Sequence, residues 1–171
     1  FRVWNEPNNP VKNQTKDRAE LYMKLLKKVY TRIKPDFPEV QIGAFATTGI
    51  GRSVEFIKWA CDSCDTNENP TQYFDYVSVH LYNTPNITDD KGFKALRALV
   101  DGYGGEDKEI WCNEYGFYDD TAETDWFKPQ NPHAKAAYTS VLTAQMLANK
   151  YADKCLIYAL ADRNATELTE S

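Results

Sequence analysis

Short runs of β-forming residues alternate with amphipathic helical stretches along the whole chain at nearly constant spacing. That pattern restricts the fold more than any other feature. Residues 1–4 (Phe1, Arg2, Val3, Trp4) predict a first strand. From about residue 16 to 34, Tyr22, Leu25, Leu26, Val29 and Ile33 recur at helical intervals, with Lys24, Lys27 and Lys28 on the wet side. Thr15 or Asp17 can cap this helix, and Pro35 and Pro38 end it. Residues 40–46 predict a second strand, after which Ser53 caps a helix carrying Val54, Ile57, Ala60, Cys61 and Cys64. Residues 74–82 predict a third strand. Asp89 or Asp90 caps the next helix, built on Phe93, Leu96 and Val100 and stopped by Gly102, Gly104 and Gly105. Residues 109–115 predict a fourth strand. Asn131-Pro132 opens a long helix through Tyr138, Val141, Leu142, Gln145 and Ala148, and residues 155–160 predict a fifth strand.

The strand ends fall near residues 6, 46, 80, 114 and 159. Such intervals fit a βα repeat with parallel strands and right-handed crossovers. The strands are apolar at most positions, as expected when both faces of a sheet are covered. Two architectures accommodate the repeat, a doubly wound sheet and part of a (β/α)₈ barrel. No G-x-G-x-x-G or phosphate-binding loop follows any strand, which disfavours a flavodoxin-like or other nucleotide-binding sheet. A complete barrel needs about 250 residues. With 171 residues, the expectation is an α/β fold, a partial TIM barrel of about five parallel strands and four intervening helices.

Composition narrows the function classes. The chain carries 25 acidic and 20 basic residues, a net charge of -5, without a basic cluster, which speaks against nucleic-acid binding. No apolar run approaches the roughly 18 residues of a membrane span. Four cysteines, Cys61, Cys64, Cys112 and Cys155, allow two disulfides. The Cys61-x-x-Cys64 pair lacks a second pair or a nearby histidine, so a local disulfide or buried thiols are preferred to a metal half-site. Asn13, Asn86 and Asn164 each open an N-x-[ST] sequon in a predicted loop, and three of them point to a secreted, extracellular glycoprotein.

Polar residues collect at the C-terminal strand ends, the edge where α/β folds bind ligands. Trp4-Asn5-Glu6-Pro7-Asn8 follows the first predicted strand, His80-Leu81-Tyr82 the third, and Asn113-Glu114-Tyr115-Gly116 the fourth. Two carboxylates facing each other across a sugar are the core of glycoside hydrolysis, one giving a proton to the leaving oxygen and the other staying ionised.

Trp4-Asn5-Glu6-Pro7 resembles the strand-4 motif of the clan A retaining glycoside hydrolases, whose catalytic domain is a (β/α)₈ barrel. Asn113-Glu114-Tyr115-Gly116 resembles their strand-7 motif, and His80-x-Tyr82 stands where several of these families carry a strand-6 pair. The resemblance is to family 5 or family 39-like enzymes. It covers residues 1–171 as the C-terminal portion of the barrel, strand 4 to strand 8, with strands 1–3 outside the chain. It implies Glu6 as general acid/base and Glu114 as nucleophile. It further implies that Asn5 binds the sugar 2-hydroxyl, that Tyr82 hydrogen-bonds Glu114, and that His80 contacts substrate or the surroundings of the nucleophile. No cofactor or metal is implied. The partners implied are a carbohydrate substrate or glycan, and the remainder of its own barrel or a partner chain that closes it.

His80 can be a satisfied core histidine, and Tyr82 can be ordinary strand packing. Trp126 can stack on a sugar ring or anchor its loop. Trp4 reads as core or as support behind the site, Trp59 and Trp111 as packing, and His133 as a solvated helix-start residue. No tryptophan stands at the fifth strand, where these families place the floor of the sugar site, so Tyr158 or a loop is the substitute. The sequon-bearing segments all follow strands, on the catalytic rim. The alternative function is therefore an extracellular structural or interaction glycoprotein built on a hydrolase-like barrel.

Overall fold

The computed structural model describes residues 1–9, 15–82, 92–116 and 132–158. Its helices are α1 (Lys16–Ile33), α2 (Ile50–Asp62), α3 (Phe93–Gly102) and α4 (Pro132–Ala148). They alternate with strands β1 (Gly43–Thr48), β2 (Tyr76–Tyr82), β3 (Glu109–Gly116) and β4 (Lys154–Ile157). All strand pairs are parallel, and the order across the sheet is the order in the chain. A doubly wound sheet reverses its strand order at the ligand crevice. This sheet advances in one direction, as a barrel wall does.

Side-chain alternation divides the sheet into two faces. Val77, Val79 and Leu81 of β2 and Ile110 and Cys112 of β3 join a buried core with Phe56, Ile57, Phe93, Leu96, Val100 and Leu142 from the helices. Tyr76, Ser78, His80 and Tyr82 alternate with them on the opposite face of β2, which leads toward the site.

Helix α1 begins as its sequence requires, with Thr15 Oγ1 accepting from the Arg18 amide at 3.3 Å. Ala19, Tyr22, Met23 and Leu26 bury its inner stripe. Lys27 is not on a purely solvated face, since its ammonium pairs with Glu68 and ties α1 to the segment before β2. Helix α2 corrects another expectation. It starts at Ile50 behind a left-handed Gly49 (φ 71°), so Ser53 lies inside the first turn, its hydroxyl donating to the Gly49 carbonyl at 3.1 Å. Helix α3 follows Gly92, and Asp89 and Asp90 lie outside the described residues.

The first predicted strand is reduced to a single bridge. Arg2 pairs with Gly43, with Val3 N donating to Gly43 O at 3.2 Å and Gly43 N to Phe1 O at 2.7 Å. Trp4 then adopts a left-handed conformation (φ 67°) that turns the chain out of the ladder. Its side chain is 61% exposed and lines a shallow apolar groove with Pro7, Leu21 and Leu25, so it belongs to neither core nor support.

One buried phenol joins these parts. Tyr22 donates to Val3 O at 3.1 Å and accepts from Phe45 N at 2.5 Å, while burial pushes its own ionisation far up. In Tyr22→Phe both backbone groups lose their partner. An unsatisfied buried group costs about 1–3 kcal/mol. Urea unfolding is therefore expected to show a loss of about that size at unchanged m.

The four cysteines are free thiols, so of the two readings of the sequence the structure has thiols and not the disulfide. Cys112 and Cys155 are register partners on β3 and β4, yet their sulfurs turn to different neighbours, the Glu114 carbonyl at 3.8 Å and the Met146 sulfur at 3.9 Å. Burial raises all four thiols, Cys155 to about 11, and a raised thiol is protonated and unreactive at neutral pH. Ellman's reagent at pH 8 is expected to label the native protein slowly and the urea-unfolded protein fast. Fast native labelling would contradict the burial.

Candidate active site

The site is built where the ladders lose their regularity. Register shifts fall between Phe45 and Thr47, between Val79 and His80, and between Cys112 and Tyr115. Bulges of this kind re-aim side chains next to active sites. At the first of them Phe45 and Ala46 both take positive φ, 76° and 43°. A bulge frees backbone groups, and buried groups must find new partners. Tyr22 accepts from Phe45 N, and the buried Ser78 hydroxyl accepts from Ala46 N at 3.1 Å and donates to Ala44 O at 3.2 Å. The Ala46 carbonyl is thereby left to accept from the Glu6 amide at 2.9 Å.

Glu6 is fixed by that bond and by its own turn. Its backbone is left-handed (φ 46°), Asn9 N donates to its carbonyl at 3.0 Å, and Asn9 Nδ2 donates to its Oε2 at 3.1 Å. Asn8, fully buried, exchanges two 2.8 Å hydrogen bonds with the Thr48 backbone and clamps this turn to the end of β1. Non-glycine residues at positive φ cost about 1–3 kcal/mol each and persist where the surroundings over-determine them. Trp4, Glu6, Phe45 and Ala46 flank this one hydrogen bond, which places the strain at Glu6.

Glu114 arrives on β3 in register with His80 of β2. Tyr82 OH donates to Glu114 Oε2 at 2.8 Å, and Arg2 Nη1 donates to Glu114 Oε1 at 3.1 Å. His80 is fully buried between the carboxylates, its Nδ1 2.9 Å from Glu6 Oε1 and 3.5 Å from Glu114 Oε2. Its Nε2 faces Arg2 Nη1 at 3.2 Å. Asn113, with its amide turned to suit its neighbours, donates to Val79 O at 3.2 Å and accepts from Arg2 Nη1 at 2.9 Å. Tyr158 stands edge-on to Tyr82, ring centroids 6.4 Å apart.

One ring nitrogen of His80 and one oxygen from each glutamate lie within 4.8 Å of one another. In number and kind these atoms could ligate a divalent ion. Arg2 brings one permanent positive charge to two of the three residues, against the two carboxylates. The arrangement suits two carboxylates working on one bond, with donors fixing each.

Glu6, His80, Tyr82 and Glu114 thus meet at one place. Asn5 is exposed beside Glu6. Trp126, Asn13, Asn86 and Asn164 lie outside the described residues. His133 lies in the first turn of α4. Sequence reasoning missed Arg2, Asn8, Ser78 and Tyr22. The one available signal was the odd presence of an arginine in an otherwise apolar opening strand.

The chain belongs to the glycosyl hydrolase catalytic core family, whose model matches residues 3–165. Its fold is that of part of a (β/α)₈ barrel. Among solved structures it is similar to an α-L-arabinofuranosidase from Thermotoga maritima (14% identity, TM-score 0.63), covering 93% of this chain and 33% of that one. It is also similar to a monomeric β-xylosidase from Caulobacter crescentus CB15 (21%, TM-score 0.58), covering 92% of this chain and 33% of the other. A glucosidase from Croceicoccus marinus aligns at 16% identity and TM-score 0.59, covering 91% of this chain and 31% of that one. The chain therefore spans about a third of the length of these structures. No curated protein matches the sequence.

Proposed function

We propose that this chain carries both catalytic carboxylates of a retaining glycosidase acting on a β-linked glycoside, within an eight-stranded barrel whose remaining strands complete the sugar site. Glu6 serves as acid/base and Glu114 as nucleophile. The observation that carries the reading is the meeting of the two carboxylates, with oxygens inside 4.8 Å, at the C-terminal strand edge. Retaining enzymes hold their carboxyl groups about 5–5.5 Å apart, whereas inverting enzymes leave about 6.5–9.5 Å for a water.

Two half-reactions follow. Glu114 attacks the anomeric carbon while Glu6 gives its proton to the departing oxygen, leaving a glycosyl ester on Glu114. Glu6, now a carboxylate, takes a proton from water, which attacks the same carbon and releases Glu114. Tyr82 and Arg2, both donating to Glu114, orient the attacking carboxylate and receive its charge back on release. Asn5 is assigned to the 2-hydroxyl and Trp126 to the sugar face. The three sequons support an extracellular, glycosylated protein, and peptide mass spectrometry of Asn13, Asn86 and Asn164 from the native source tests that assignment.

A panel of aryl β-glycosides (xyloside, glucoside, galactoside, mannoside, arabinoside) tests the activity in the full-length protein. Turnover of at least one is expected. No turnover of any, by protein that is folded, would favour the scaffold reading.

A further inference from the structure

We infer that Arg2 is a positioning residue that fixes the tautomer of His80, so that one ring proton is presented to both carboxylates. Arginine can only donate hydrogen bonds. Its Nη1 lies 3.2 Å from His80 Nε2, so that nitrogen must be the acceptor and carries no proton. An Nε2–H form, or a doubly protonated ring, would set donor against donor there. The ring proton therefore sits on Nδ1, the nitrogen facing Glu6 Oε1 at 2.9 Å and Glu114 Oε2 at 3.5 Å. The reverse tautomer would turn a lone pair toward two acceptor oxygens.

Arg2 is itself held for this task. The two N–H groups of its Nη1 are shared among three acceptors, Glu114 Oε1 at 3.1 Å, the Asn113 side-chain oxygen at 2.9 Å and His80 Nε2 at 3.2 Å, so one of them is bifurcated. Its backbone is locked to β1 through the Gly43 bridge, the pairing that also sets the path of the chain into Glu6. His80 is fully buried, so solvent cannot substitute freely for either partner. One guanidinium thus orients Glu114 directly and Glu6 through the imidazole. The consequence for turnover rests on the glycosidase reading, whereas the tautomer does not.

The experiment is ¹⁵N-histidine NMR on the full-length protein at pH 7 without substrate, alongside kinetics. In wild type the His80 signals are expected to show a protonated Nδ1 and an unprotonated Nε2. Arg2→Met removes the obligate donor and is expected to give a mixture with the Nε2–H form. Misplacement of reacting groups by about 1 Å can cost about 10²-fold. A fall of that order in kcat, with KM within about twofold, is expected for Arg2→Met. Arg2→Lys, also donor-only, is expected to restore the tautomer but only part of kcat, because it lacks the planar fork. An Nε2–H or doubly protonated His80 in wild type, or an unchanged tautomer in Arg2→Met, would overturn the inference. Because the wild-type spectrum alone can do so, the test survives a variant that fails to fold. A protein without turnover but with the stated tautomer would sink the glycosidase reading and leave this one standing.

Discussion

Glu114→Gln is expected to lower kcat by about 10⁴-fold or more on every glycoside the protein accepts, the scale seen when a covalent nucleophile is removed. The substitution is nearly isosteric. Its carbonyl oxygen can keep the bond from Arg2, and the Tyr82 hydroxyl, which donates to Oε2, can rotate to accept from the new amide. Unfolding measurements should therefore differ little from wild type while steady-state rates collapse. An activity within about tenfold of wild type would remove Glu114 from the reaction.

Glu6→Gln has the second largest expected effect, and its signature is selective. General acid–base catalysis contributes about 10²–10⁴-fold. Glu6 gives its proton to the leaving oxygen in the first half-reaction. The loss should be greatest for leaving groups that depart poorly as anions, such as methanol or a second sugar. It should be much smaller in the first step for dinitrophenolate, which needs no proton. For that substrate the second step becomes limiting, because Glu6 also activates water, and a burst of dinitrophenolate equal to the enzyme concentration is expected. A uniform loss across leaving groups, without a burst, would contradict the acid/base assignment.

The two glutamates stand out in the sequence because each follows a β-forming run and precedes turn residues, although in the fold the run before Glu6 makes only one bridge. The βα alternation was legible for the same reason. What could not be read is the backbone that aims them. Phe45 and Ala46 sit at positive φ within a run that looks like ordinary strand, and nothing local predicts a left-handed phenylalanine. The bulge exists because distant side chains, Tyr22 of α1 and Ser78 of β2, satisfy the groups it frees. Arg2 was equally silent, as its partners His80 and Glu114 are 78 and 112 residues away. The start of α2 was misplaced for a simpler reason. Ser53 is a good cap by composition, but Gly49, already left-handed, ends the strand four residues earlier and the helix begins at once. The reduction of residues 1–4 to one bridge follows from Trp4, whose conformation leaves the ladder after a single pairing.

In the proposed reaction Glu6 and Glu114 act together on one anomeric carbon in two displacements. The most direct measurement is the configuration of the sugar first released, followed by ¹H NMR in the minutes before mutarotation, with whichever aryl glycoside the full-length protein turns over fastest. The spacing of the two carboxylates predicts the same anomeric configuration in product as in substrate. Initial release of the opposite anomer would show a single displacement by water and would contradict the account.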